Sequence, residues 1–217
     1  RIELPAGLLR LESFAFDGCP FLRGEIVIPA TVQYIGHCAF ERCVALHRVI
    51  FAPRTTSVEL GNGMFRGCSD LRLVALPQNL RSIPAWFFMD CISLTRLHIP
   101  ESVQQLEEYA FRGSGIHATK TSEEDEFIPG TIMLPPKLRS ISENCFEDCK
   151  SLTHIRIPPS VQLIEEDALS GSCLRSLRIS KYVFQIDSGA FRDCSSLEKI
   201  SIHSTNLNMA NNFFGNC

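Results

Sequence analysis

The sequence predicts an α/β solenoid, mostly β, of about nine coils of about 23 residues each. Three observations carry this. An aromatic column recurs at Phe16, Phe40, Phe65, Phe88, Phe111, Phe146, Leu169, Phe191 and Phe214, in steps of 24, 25, 23, 23, 35, 23, 22 and 23 residues. A second column follows three residues later, at Cys19, Cys43, Cys68, Cys91, Ser114, Cys149, Ser172, Cys194 and Cys217. Each unit also opens with two apolar residues around one variable residue, as in Ile26-Val27-Ile28 and Ile155-Arg156-Ile157. Units repeating at such a period bury their apolar faces only against their neighbours, which moves the search for function from a pocket to an extended surface.

The elements follow in order along each unit. The opening alternation predicts a short β-strand with period two, and stacked coils then form a parallel sheet with strands ~4.8 Å apart. Proline follows at Pro5, Pro29, Pro77, Pro100, Pro135 and Pro158. It cannot donate to a ladder, so it ends the strand and turns the chain. The V-x-x-I-x-x-x-A-F stretch has mixed spacing of three and four, which predicts a tight turn and a short helical or 3₁₀ segment on the opposite side. Three departures stand out: about two extra residues near Arg54–Ser57, one residue fewer before Ile116 and Leu174, and an insertion over Thr119–Gly130.

The combination of I-x-I-P, A-F and C-x-x-L at one period, clearest in Ile26–Leu46 and Ile155–Leu174, resembles the BspA-like leucine-rich repeats over essentially the whole chain. The resemblance implies a curved, right-handed leucine-rich-repeat coil with a parallel sheet on its concave face and short helical or 3₁₀ turns on its convex face. Many members of that family are surface or secreted proteins and several are adhesive, so the resemblance implies a cell-surface or secreted location; an intracellular scaffold is the alternative. Fold transfers through such a resemblance further than activity does.

The unbroken repeat makes residues 1–217 a single domain. The net charge of −3 gives no reason to expect a nucleic-acid partner. No apolar run approaches the ~18 residues needed to insert in a membrane. There is no N-terminal signal pattern and no Asn-x-Ser/Thr. Arg1 and Ile2 begin inside a strand and Cys217 ends mid-unit, so the expectation is a piece of a longer chain. The ten cysteines are expected as free thiols, because seven share one column in which Ser114 and Ser172 substitute. Parallel Cβ vectors on stacked coils also suit disulfides poorly. Cys38, Cys145 and Cys173 lie off the column and their pairing stays open. Cys-x₄-Cys at Cys38–Cys43 without an aligned His pair does not support zinc.

No catalytic residue, metal ligand or cofactor site is assigned. His98 and His154 lie two units apart, ~10 Å at the usual strand spacing and too far to share a metal. No thiol or hydroxyl recurs beside a His-and-acid pair, and the reading is of a protein that is not an enzyme. Glu107-Glu108 and Glu165-Glu166 repeat at the expected start of the helical turn, where negative charge suits a helix N-terminus. The insertion carries the acidic run Glu123, Glu124, Asp125 and Glu126 and reads as a projecting solvated loop. The strand face is the functional candidate. Its outward residues are apolar in the middle units and basic in the later ones, and contiguous exposed apolar residues rimmed by charge mark interaction sites. The candidate partner surface comprises Arg48, Ile50, Leu73, Ala75, Arg96, His98, Met133, His154, Arg156 and Arg178. The expected function is a non-catalytic protein-binding scaffold. The alternative is a structural or assembly element that self-associates through the ends of the solenoid.

Overall fold

The computed structural model describes residues 2–55, 57–122 and 124–217. Arg1, Thr56 and Glu123, expected in a strand, in the lengthened third unit and in the acidic run, lie outside the described residues. Among the described residues there are eighteen short strands, numbered along the chain, and every pairing between them is parallel. They line two sides of the coil. A side ladder is built from the two-residue strands β1 (Arg10–Leu11), β3 (Tyr34–Ile35), β5 (Glu59–Leu60), β7 (Ser82–Ile83), β9 (Gln105–Leu106), β12 (Ser140–Ile141), β14 (Leu163–Ile164), β16 (Gln185–Ile186) and β18 (Asn208–Met209). The broader strand face is built from β2 (Gly24–Ile28), β4 (Leu46–Phe51), β6 (Leu73–Ala75), β8 (Arg96–His98), β10 (Ala118–Lys120), β11 (Thr131–Met133), β13 (His154–Arg156), β15 (Ser176–Ile179) and β17 (Lys199–Ile202). The predicted strand openings and their register hold from the second unit onward, whereas Ile2-Glu3-Leu4, expected to open the first unit, forms no strand.

The helical turns do not form. Two residues per unit, two before and two after the aromatic column, have φ between 50° and 69°, from Phe14 and Gly18 in the first unit to Asn212 and Asn216 in the last. A helix of L-residues cannot accept a left-handed residue every fourth position. The chain instead makes stacked tight turns whose N–H groups alternate between a carbonyl three residues back and the matching carbonyl of the next coil. Phe16, Phe40 and Phe65 donate in this way to Ala39, Met64 and Phe87 at 2.8, 3.0 and 3.1 Å. The repeated glutamates therefore cap no helix. A Glu107 carboxylate oxygen accepts from the Ala85 N–H at 3.3 Å, and Glu165 does the same for Glu143 at 3.2 Å, each reaching back one coil.

The aromatic column runs through the core as a stack. Phe40–Phe65, Phe65–Phe88, Phe88–Phe111 and Phe111–Phe146 have centroids 6.0, 5.8, 5.5 and 5.2 Å apart with nearly parallel rings. The residue before the aromatic is usually alanine. It is Met64 and Phe87 in the third and fourth coils, where both side chains are fully buried.

All ten cysteines are free thiols. The column thiols donate to the carbonyl of the aromatic one coil back, with Cys43 to Phe16, Cys68 to Phe40 and Cys91 to Phe65 each at 3.0 Å. The two serines of the column, Ser114 and Ser172, are buried in the same place, with their hydroxyls 3.7 and 3.3 Å from the Cys149 and Cys194 sulfurs of the following coil. Burial pushes the Cys43 and Cys194 thiols up to about 11 and Cys149 to about 12. A folded-state value raised above the ordinary 9 means the native state holds its proton longer than the unfolded chain. The stability from keeping these thiols neutral is thus complete below about pH 9 and is lost as pH rises through the folded values. The urea midpoint should fall between pH 9 and 11, and the six buried thiols should resist alkylation at pH 8 until the chain is unfolded. Rapid alkylation of all ten in the native state would contradict this packing.

The insertion is not wholly a loop. Thr119 and Lys120 belong to β10, which pairs with β8 in the register Ala118–Arg96, Thr119–Leu97, Lys120–His98. The corner ladder passes straight from the Phe111 unit to the Phe146 unit, with the Phe111 N–H donating to Cys145 O at 2.9 Å. One coil boundary therefore carries an additional strand on the strand face alone, a wedge of about one strand spacing, ~4.8 Å. Between β10 and β11 a side chain replaces the backbone ladder. The buried Thr119 hydroxyl donates to Met133 O and accepts from Met133 N–H, both at 2.7 Å. The chain rejoins the repeat at Gly130 (φ +75°), where a Cβ would sit 2.2 Å from the Thr153 hydroxyl.

Candidate functional site

Alternation along the long strands sends every second side chain outward, and the parallel register aligns these into columns. Val27 stands beside Ile50 and Ala75, and Glu25 beside Arg48 and Leu73. Met133 stands beside Arg156, His154 beside Ser176 and Lys199, and Arg178 beside Ser201. All ten candidate residues lie on strands of this one face, which the structure divides into three zones.

The first zone, on β2, β4 and β6, is apolar. Val27 and Leu73 are 47% and 39% exposed, and Ile50 and Ala75 are half-buried. Arg48 is tied to Glu25 at 3.3 Å.

The second zone lies where the ladder breaks. β6 and β8 belong to different sheets, as do β5 and β7 behind them, so the third and fourth coils are splayed on both sides. The break on the strand face is a cleft of about 620 Å³ lined by Leu73, Ala75, Arg96, His98 and Phe127. Phe127 comes from the insertion, which folds back over the face rather than projecting. Its ring lies 6.0 Å from the Arg96 guanidinium and 5.7 Å from the Lys120 ammonium. His98 Nε2 is 3.2 Å from Thr121 O. Asp125 accepts from the N–H groups of Ser122 and Thr121 and from the Thr121 hydroxyl at 3.0 to 3.2 Å, and these bonds hold its carboxyl below the usual carboxylate range. The acidic run is thus partly used in shaping the turn that carries Phe127.

The third zone, on β13, β15 and β17, is basic. A shallow groove of about 560 Å³ is lined by His154, Arg156, Arg178, Lys199 and His203 among small polar residues. Arg156, Arg178 and Lys199 are exposed, and no ion pair holds them among the described residues.

Some sequence expectations change here. Met133, expected to face outward, is only half exposed, and Thr131 on the same strand is buried beside the inserted strand. His98 and His154 are three strand steps apart rather than two, ~14 Å, because β10 intervenes. Phe127 escaped notice because an insertion has no repeat to read it against. Its signal was to be the lone aromatic in a charged segment.

The model for the BspA type leucine rich repeat region matches residues 1–117 and 130–217, in six copies. The chain belongs to the BspA-type leucine-rich repeat family. The unmatched residues 118–129 of this leucine-rich repeat protein are the additional strand and its return. A leucine rich cell surface protein from Faecalibacterium prausnitzii is similar at 26% identity and a TM-score of 0.58, over 94% of this chain and 47% of that one. This chain therefore spans about half the length of that relative. The T. pallidum leucine rich repeat protein superposes with a TM-score of 0.62 at 22% identity, over 86% of this chain and 72% of that one, a likeness of fold. A comparison with curated protein sequences finds no match. No helix among the described residues is long and apolar enough to cross a membrane.

Proposed function

We propose that this leucine-rich repeat protein is a non-catalytic binding scaffold that holds a protein partner against its strand face, as a surface or secreted interaction module. The observation that carries the reading is the strand face itself: outward apolar side chains at Val27, Ile50 and Leu73 run toward outward cations at Arg156, Arg178 and Lys199. Solenoids present such extended surfaces as their usual mode of action. Exposed apolar groups rimmed by charge favour association over solvation. The surface location draws on the cell surface description of the F. prausnitzii relative.

The test is capture of proteins on the immobilised chain, comparing wild type with Leu73→Glu and Arg156→Glu. Both side chains are exposed, so unfolding free energies should stay within about 0.5 kcal/mol of wild type. Captured material should fall in at least one variant. Capture that survives both changes would sink the reading. If it were joined by a molecular mass rising with concentration, the assembly role would replace it.

A further inference from the structure

Resting on the strand face as a binding surface, we propose that its third zone, on β13, β15 and β17, takes an extended, carboxylate-rich peptide segment of a protein partner. The chain carries a net charge of −3, yet this groove gathers three exposed cations and two imidazoles and has no carboxylate in its lining. The register that pairs His154 with Ser176 sets Arg156 opposite Arg178 on the neighbouring strand. Like charges directly opposite one another on a sheet are destabilising. Several arginines elsewhere are neutralised within the chain: Arg42 pairs with Asp17, Arg48 with Glu25, Arg112 with Glu147 and Arg192 with Asp167. Arg156, Arg178 and Lys199 have no such internal counter-ion among the described residues, so the groove is left complementary to an external anion.

The geometry favours a peptide carboxylate. A guanidinium fork matches a carboxylate through two parallel hydrogen bonds. From β13 to β17 the groove spans two strand spacings, ~10 Å, which about three extended residues cover. Side chains on one side of an extended peptide recur about every 6.8 Å, so acids at alternate positions would meet the arginine pair and then Lys199. Ser176 and Ser201 offer hydroxyls to a peptide backbone, and the half-buried Met133 offers apolar contact beside Arg156.

The experiment measures fluorescence anisotropy of a labelled eight-residue peptide alternating Glu and Ser, titrated with the whole chain at low and moderate salt. The Glu peptide is expected to bind saturably, more weakly as salt rises, and a Lys–Ser peptide not to bind. Arg156→Glu with Arg178→Glu should weaken binding by about tenfold or more, Arg156→Lys with Arg178→Lys by less, and Arg10→Glu, exposed on the side ladder, not at all. Circular dichroism and the urea midpoint establish that each variant is folded, and Lys199→Glu alone serves if the double reversal is not. The proposal falls if the Glu peptide shows no saturable binding, or binds the charge-reversed groove unchanged. It also falls if a phosphopeptide or a sulfated oligosaccharide binds more tightly at the same residues. A failed Glu peptide alongside native capture that still depends on Leu73 removes this docking class and leaves the scaffold reading standing. Capture indifferent to the strand face removes both.

Discussion

Phe146→Ala is expected to destabilise the protein by about 3–5 kcal/mol, the range for deleting a fully buried aromatic ring. Phe146 has no exposed surface and stacks on Phe111 at 5.2 Å with 4° between the rings. This contact bridges the boundary at which the strand face carries its additional strand. On that side the coils are wedged apart, so the corner stack and its ladder carry the continuity of the core. In a solenoid each unit is held only by its neighbours, so a cavity here weakens the junction between the two halves of the chain. Phe146→Leu should cost far less, because Leu169 already fills the same column one coil on and is fully buried. Urea unfolding of the two variants measures the difference. A loss below about 1 kcal/mol for the alanine variant would mean that the column is not packed as described.

Thr119→Val is expected to cost about 2–3 kcal/mol although valine matches threonine in shape. The change removes one hydroxyl. That hydroxyl accepts from the Met133 N–H and donates to Met133 O, joining β10 to β11 where no backbone ladder does. Without it a buried donor and acceptor lose their partner together, and each carries a desolvation penalty. Thr119→Ser keeps the hydroxyl and should recover most of the loss. Hydrogen exchange at the Met133 amide gives a local readout: faster in Thr119→Val, near wild type in Thr119→Ser. Unchanged exchange in the valine variant would show that the bridge does not hold the inserted strand.

The absence of helices was legible in the sequence. Gly, Asn or Asp fills thirteen of the eighteen left-handed positions flanking the aromatic column. These are the residue types that tolerate positive φ most readily, and two such columns four residues apart exclude a helix. Hydrophobic spacing of three and four does not separate a helical turn from stacked tight turns, so the apolar pattern alone pointed the wrong way. The positions of the candidate residues were legible as well, because alternation on a strand fixes which side chains point to the outer face, while the neighbouring coils decide how exposed each one is. The ten residues named from sequence lie on one face for that reason.

By itself the sequence determined the repeat, its register, the aromatic and thiol columns, and the outward set of the strand face. All follow from local periodicity, which each coil imposes on the next through identical contacts. Tertiary structure alone decided what happened where the period failed. A 35-residue step has no internal signal for how its additional residues divide between strand and return. Only packing against β8 made Thr119 and Lys120 a strand, and only the closed corner ladder put the wedge on one side of the coil. The placement of Phe127 over Arg96 and the gathering of Arg156, Arg178 and Lys199 into one groove likewise depend on which coils are neighbours in space. Cross-strand distances come from stacking, and an inserted strand changes the stacking order without changing the local pattern on either side.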